Sequence, residues 1–178
     1  MTYAAHQIAL RISAMSYLPG WGFSVATTTL VGQALGAKAP DEARATTSAA
    51  RKFSFLVMTA IGVLLVLLAE PIVRIFTTDP EVVREGARAI RIAGCVQPIM
   101  SQSFIFGGAL RGAGDTRATM FITMLSVWGL RIIVTYFVGR VLGLGIIGAW
   151  LAVGVDFSLR SYLFSRRWRS GKWAALRV

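Results

Sequence analysis

The chain has 178 residues, 55% of them hydrophobic and only 15% charged, with a mean hydropathy of +0.62. Ordinary soluble domains carry about a quarter charged residues, so a conventional water-soluble domain is excluded. The 19 Lys and Arg outnumber the 8 Asp and Glu, a net charge of +11 that on a soluble protein would indicate nucleic acid; here the basic residues gather at the ends of apolar runs, and no nucleic-acid partner is expected.

Five apolar runs are long enough to cross a bilayer: 8–35, 53–76, 89–110, 118–138 and 144–164. In hydrocarbon each run must satisfy its own backbone hydrogen bonds, and all are too long for barrel strands. The expected fold is therefore all-α, a polytopic membrane helix bundle over 1–165 followed by a basic tail at 166–178. No cleavable leader is visible behind Met1.

The first run carries a stripe of small residues, Ala9, Ser13, Ser16, Gly20, Ser24 and Thr27, which reads as a packing seam. Pro19 and Gly20 are expected to bend it, and Trp21 beside the bend either packs or stacks on an organic cation. His6, the lone histidine, is expected to pack near the helix end. With one distant Cys95 it makes no metal site, and Cys95 itself reads as a small apolar filler.

The connection "GAKAPDEARATTSAARK" has helix-starting chemistry at Pro40 and Asp41. Within the second run the stretch "FSFLVMTAIGVLLVLLA" carries no charge at all. After it, Thr78 or Asp79 can cap a helix opened by Pro80. In the third run Gln97, Ser101, Phe104 and Gly108 recur at helical spacing around Pro98. They either line a substrate cavity or make interhelical hydrogen bonds.

"FGGALRGAGDTRA", residues 106–118, raises the possibility of a phosphate cradle. It matches neither G-x-x-x-x-G-K-[ST] nor G-x-G-x-x-G between a strand and a helix. Gly108, Gly112 and Gly114 are instead expected to end one helix. Asp115 or Thr116 caps the next, and Arg111 and Arg117 hold the loop at the membrane face. "VGQALGAK" after the first run echoes "GGALRGAG", a hint of duplication.

Charged groups inside hydrocarbon cost about 2.5 to 3.5 kcal/mol unless paired. Asp156 in the last run and Arg131 in the fourth are the candidates, either as a buried charge pair or with a role in coupling. The preferred reading pairs them with each other; Asp156 with Arg160, or a proton- or cation-carrying Asp156, are the alternatives. Trp168 and Trp173 among basic residues are expected to anchor the last helix at the interface.

Lys and Arg concentrate in the first connection, the glycine-rich connection and the tail, which places these on the cytoplasmic side of a plasma (inner) membrane. The N-terminus then lies outside, and with an odd number of spans a segment is expected upstream.

The stretches "AAHQIALRISAMSYLPGWGFSVATTTLVGQ", "LVGQALGAKAPDEA", "GALRGAGDTR" and "LGLGIIGAW" resemble the multidrug and toxic compound extrusion (MATE) family of cation antiporters. The resemblance implies helices eight through twelve of a twelve-helix, two-lobed transporter, most of the second six-helix lobe, without its seventh helix or the N-terminal lobe. It implies efflux of small organic cations or drugs, driven by a proton or sodium gradient with no cofactor, and a chain incomplete by itself. A lipid-linked-sugar flippase of related fold and a non-transporting membrane scaffold are the alternatives. Enzyme chemistry has no support, since neither H-E-x-x-H nor G-x-S-x-G occurs.

Overall fold

The structure is a computed structural model and describes residues 2–141, 143 and 145–175. Leu142, Leu144 and the last three residues of the basic tail lie outside the described residues. Every element among the described residues is helical.

Helix α1 (Thr2–Gly36) runs for 35 residues, about 52 Å at the α-helical rise. Only Ala37, Lys38 and Ala39 separate it from α2 (Pro40–Leu67). Pro40 sits in the first turn with Asp41 and Glu42, where a missing N–H costs nothing and carboxylates complement the helix dipole. The alanine-rich stretch behind them, expected as connection, is therefore helical. A break at Leu68 turns the chain into the short α3 (Ala69–Arg74).

Helix α4 (Pro80–Gly112) starts as its sequence indicates. The Asp79 carboxylate accepts from the backbone N–H of Glu81 at 2.9 Å and of Val82 at 3.4 Å, and Pro80 opens the first turn. This helix is the axis of the bundle, packing on α1, α2 and α7 (Gly145–Arg169). Glycines set the spacing: a methyl group on Gly62 would collide with the carbonyl oxygen of Gly94, one on Gly108 would lie 2.5 Å from that of Ser24, and one on Gly112 would collide with that of Thr28. The stripe foreseen on α1 is this seam, with Ala9, Ser13, Ser24 and Thr27 all buried.

Between α4 and α7 one rod spans residues 116–141. It consists of α5 (Thr116–Met124), a π-helical stretch Leu125–Arg131, α6 (Ile132–Tyr136) and a second π-helical stretch Phe137–Val141. Its far end meets α7 backbone to backbone, since a methyl group on Gly148 would come within 2.7 Å of the Gly139 Cα.

The buried apolar residues form one cluster at each end of α4 and a small one, Met58, Val96 and Met100, at its middle. At one end Ile12, Leu65, Val73, Ile90 and Trp150 pack together. At the other, Val31, Phe106, Leu110 and Phe164 do so with Trp168 and Trp173. That last pair corrects the sequence reading. Gly171, at φ +68°, turns the chain back after α7. Trp173 then stacks flat on Trp168 with ring centres 4.2 Å apart, and its indole N–H donates to the Trp168 carbonyl at 2.7 Å. Arg44 of α2 caps the stack, 5.7 Å from the Trp173 ring centre. Both tryptophans hold the tail to the bundle from inside.

Large apolar side chains lie on the outer surface of two segments. Phe53, Leu56, Leu64 and Leu67 on α2, and Phe121, Leu125, Trp128 and Ile133 on the 116–141 rod, are exposed. By length and composition these two segments are each sufficient to cross a membrane. Polar groups interrupt the other long helices: Ser13, Ser16 and Ser24 in α1, Gln97 and Ser101 in α4, Asp156 and Arg160 in α7.

Candidate functional site

Helices α1 and α7 both pack on α4 and leave a groove between them that holds two cavities. The larger, about 430 Å³, has Trp21 and Val25 on its α1 wall, Phe104 and Arg111 on its α4 floor, and Phe157 and Arg160 on its α7 wall. The smaller, about 220 Å³, lies between His6 and Tyr17 of α1, Arg131, and Trp150 of α7. Phe157 borders both, so they are two halves of one groove. A further hollow of about 480 Å³ at the α3–α4 turn is lined by Glu70, Arg74 and Arg84, away from the groove.

Of the residues expected to line a cavity, Trp21 and Phe104 do so. Trp21 is 62% exposed, its ring free for contact. Phe104 packs on Phe157, ring centres 6.0 Å apart. Gln97 and Ser101 are fully buried and do not reach either cavity. The Gln97 amide donates to the Ser16 hydroxyl at 2.6 Å, and the Ser101 hydroxyl donates to the Pro98 carbonyl at 2.7 Å. The Gln97 amide bond crosses from α4 to α1, whereas the Ser101 bond stays within α4. Gly108 is given to the α1–α4 contact.

Asp156 does not pair with Arg131. Its carboxylate takes the guanidinium of Arg160 one turn on, with Arg160 Nε at 3.1 Å and Nη2 on the other oxygen, and a hydroxyl from Ser126 of the neighbouring rod. The same hydroxyl lies 3.1 Å from the Asp156 carbonyl. The reason is rotational: residues four apart on one helix share a face, whereas equal depth on two helices does not make two side chains meet. Arg160 is held further by the Phe157 ring, 4.7 Å from its guanidinium carbon. Arg131 lines the smaller cavity and makes no ion pair among the described residues.

The glycine-rich connection also differs from its expectation. Helix α4 continues through Arg111 to Gly112, so Arg111 belongs to a helix and reaches across to donate to the Ser24 hydroxyl at 2.9 Å. Gly114, at φ +77°, makes the turn itself. Asp115 precedes α5 but makes no side-chain cap. Its carboxylate accepts from Arg167 Nε at 2.6 Å and ties the connection to the end of α7. His6 packs edge-on against Trp150 at 6.0 Å, as a packed histidine does. Cys95 is exposed on α4 and fills no interior space. Ser126 and Arg167 carried no sequence signal, because both act across the fold.

A bundle with large apolar side chains exposed along its outer helices, arginines and hydroxyls lining an internal groove and a fully buried, paired carboxylate is built for a bilayer; the fold and site define a polytopic membrane helix bundle. The MatE family model matches residues 2–137, and the chain belongs to that family. A probable multidrug resistance protein NorM of Thermotoga maritima is 34% identical over 171 residues, covering 96% of this chain and 37% of that protein. The multidrug resistance protein PmpM of Pseudomonas aeruginosa is 33% identical over 136 residues, 76% of this chain and 28% of PmpM. Among solved structures, MATE in the bent conformation has a TM-score of 0.86 at 20% identity over 92% of this chain and 36% of its own. An inward-facing multidrug resistance MATE family transporter of the MOP superfamily has 0.83 at 18%, over 96% and 40%. The chain thus spans little more than a third of the length of the relatives it matches.

Proposed function

We propose that the chain forms part of a secondary active multidrug efflux antiporter, exporting organic cations or drugs in exchange for protons or sodium ions that run down their gradient, and that it works with a second lobe. Membership of the MatE family over residues 2–137 carries this reading, and the named activities of the NorM and PmpM relatives supply the substrate class. The groove supports it. Trp21, Phe104 and Phe157 give an aromatic wall that accepts flat apolar ligands with little demand on their shape, which suits a promiscuous exporter. Coupling falls to Asp156: protonation or cation binding there competes with Arg160 and Ser126, and loosening that contact frees α7 from the neighbouring rod. By the distribution of Lys and Arg, the glycine-rich connection and the tail face the cytoplasm.

Grafting tests the proposal. The matching third of the Thermotoga maritima NorM relative is replaced by this chain in cells lacking their own drug exporters, and ethidium retention is followed. Active export by the hybrid, with none from the chain alone, is expected. A hybrid that reaches the membrane at normal levels yet retains ethidium like empty cells contradicts the reading.

A further inference from the structure

The arginines of the larger cavity stand outside the account of drug export. Gly108 and Gly112 are fixed by contact with α1, so no glycine nest is available for an anion. Arg111, on the same turn, projects into the cavity, where Arg160 meets it from α7. One carboxylate, Asp156, answers Arg160 through Nε and Nη2. Arg111 has no carboxylate partner among the described residues; a single Ser24 hydroxyl accepts from its Nη2 and its other N–H groups are left over. Arg111, exposed at this end of α4, therefore brings to the cavity a positive charge that no carboxylate answers and that a bound anion would neutralise. Ser103 and Thr123 add hydroxyls to the same lining. Trp21 and Val25, both exposed, continue the wall outward as apolar surface.

We propose that this cavity is a binding site for a phosphate ester with an apolar tail, namely the headgroup of an anionic phospholipid entering from the surrounding bilayer. The Arg111 fork matches two phosphate oxygens in plane, a geometry that a lysine or a hydroxyl does not supply. Arg160, already turned into the cavity by Asp156 and Phe157, adds charge from the facing wall. Ser103 and Thr123 donate to the remaining oxygens, and the acyl chains run out over Trp21 and Val25. The lipid shares Trp21 with the aromatic wall proposed above for drugs, but its assignment rests on Arg111 and the hydroxyls of Ser103 and Thr123, and the test below reads lipid binding without any transport.

The full chain, purified in a neutral maltoside, is offered phosphatidylglycerol and phosphatidylcholine together, and the lipid retained is read by native mass spectrometry. A preference for phosphatidylglycerol is expected. Arg111→Gln should weaken that preference by about tenfold, the scale of a lost charged hydrogen bond, and Arg111→Lys should restore part of it. Arg117→Gln, an equally exposed arginine at the same end that does not line the cavity, should leave it unchanged. Thr123→Val, which leaves every glycine contact in place, should lower it by about threefold and gives the reading if Arg111→Gln does not accumulate. Equal retention of the two lipids, or a preference untouched by these changes at Arg111 and Thr123, overturns the proposal. Glycerol 3-phosphate displacing phosphatidylglycerol at equal concentration would assign the site to a soluble phosphate ester and overturn the lipid assignment.

Discussion

At the scale of single residues, Asp156 concentrates most of the polar energetics. It is fully buried, and two residues answer it: Arg160 through both carboxylate oxygens and Ser126 through its hydroxyl. Replacing one partner of a buried ion pair strands the other, at a cost of about 3 to 5 kcal/mol. Asp156→Asn should therefore lower the thermal midpoint of the detergent-solubilised chain sharply. The double change Asp156→Asn with Arg160→Gln should be milder than the first alone. Arg131→Gln, which breaks no ion pair, should leave the midpoint nearly unmoved; a drop as large as that of Asp156→Asn would restore the pairing expected from depth alone. The sequence showed which charges were embedded and not which way they faced. Depth along a helix follows from counting, but rotation follows from packing, and the packing of α7 is set by Gly148 against Gly139 on another element. Gln97 is a comparable case. Its periodicity with Ser101 and Phe104 was visible, and only the fold divides them, with Phe104 at the cavity and Gln97 on Ser16. Gln97→Ala should cost stability on the scale of one interhelical bond, about 0.6 to 2 kcal/mol, and should leave ligand binding in the groove intact.

Between elements, the α1–α4 seam decides whether a groove exists at all. Gly108 and Gly112 let the two backbones touch, and the carbonyls of Ser24 and Thr28 occupy the space a side chain would need. Neither carbonyl can swing aside as the tip of a flexible side chain can. Gly112→Ala should thus separate the helices and destabilise the bundle by about 1 to 3 kcal/mol, whereas Gly22→Ala, whose added methyl meets nothing within 4 Å, should be neutral or better. Unfolding midpoints of the two variants side by side provide the comparison. The tail is a second element-level device. Trp173→Ala removes a buried ring stacked on Trp168, and should expose the end of α7 to protease at enzyme levels that leave the parent intact. Helix existence was legible here because long apolar runs admit few alternatives. The start of α4 was equally plain from Asp79 and Pro80. Ends were less so: glycine after glycine suggested that α4 stops before Arg111, but a helix pressed against a neighbour keeps glycines that an isolated one would lose. Tryptophans beside arginines suggested an interface, and a positive-φ glycine folded them inward instead.

For the whole molecule, the distribution of surfaces carries the account. Large apolar side chains cover the outside of α2 and of the 116–141 rod, while charge and hydroxyl groups turn to the groove between α1 and α7. Such an arrangement is stable only where the surroundings are themselves apolar. Cys95, the lone cysteine of the chain, offers a direct probe because it lies exposed on α4, in the middle of a helix assigned to the bilayer. A thiol held in hydrocarbon is out of reach of a membrane-impermeant maleimide. Intact membranes containing the chain should leave Cys95 unlabelled from either side, and dissolving them in sodium dodecyl sulfate should label it fully. Rapid labelling of Cys95 in intact, sealed membranes would mean that water reaches this face of α4, and would contradict a bundle immersed in lipid.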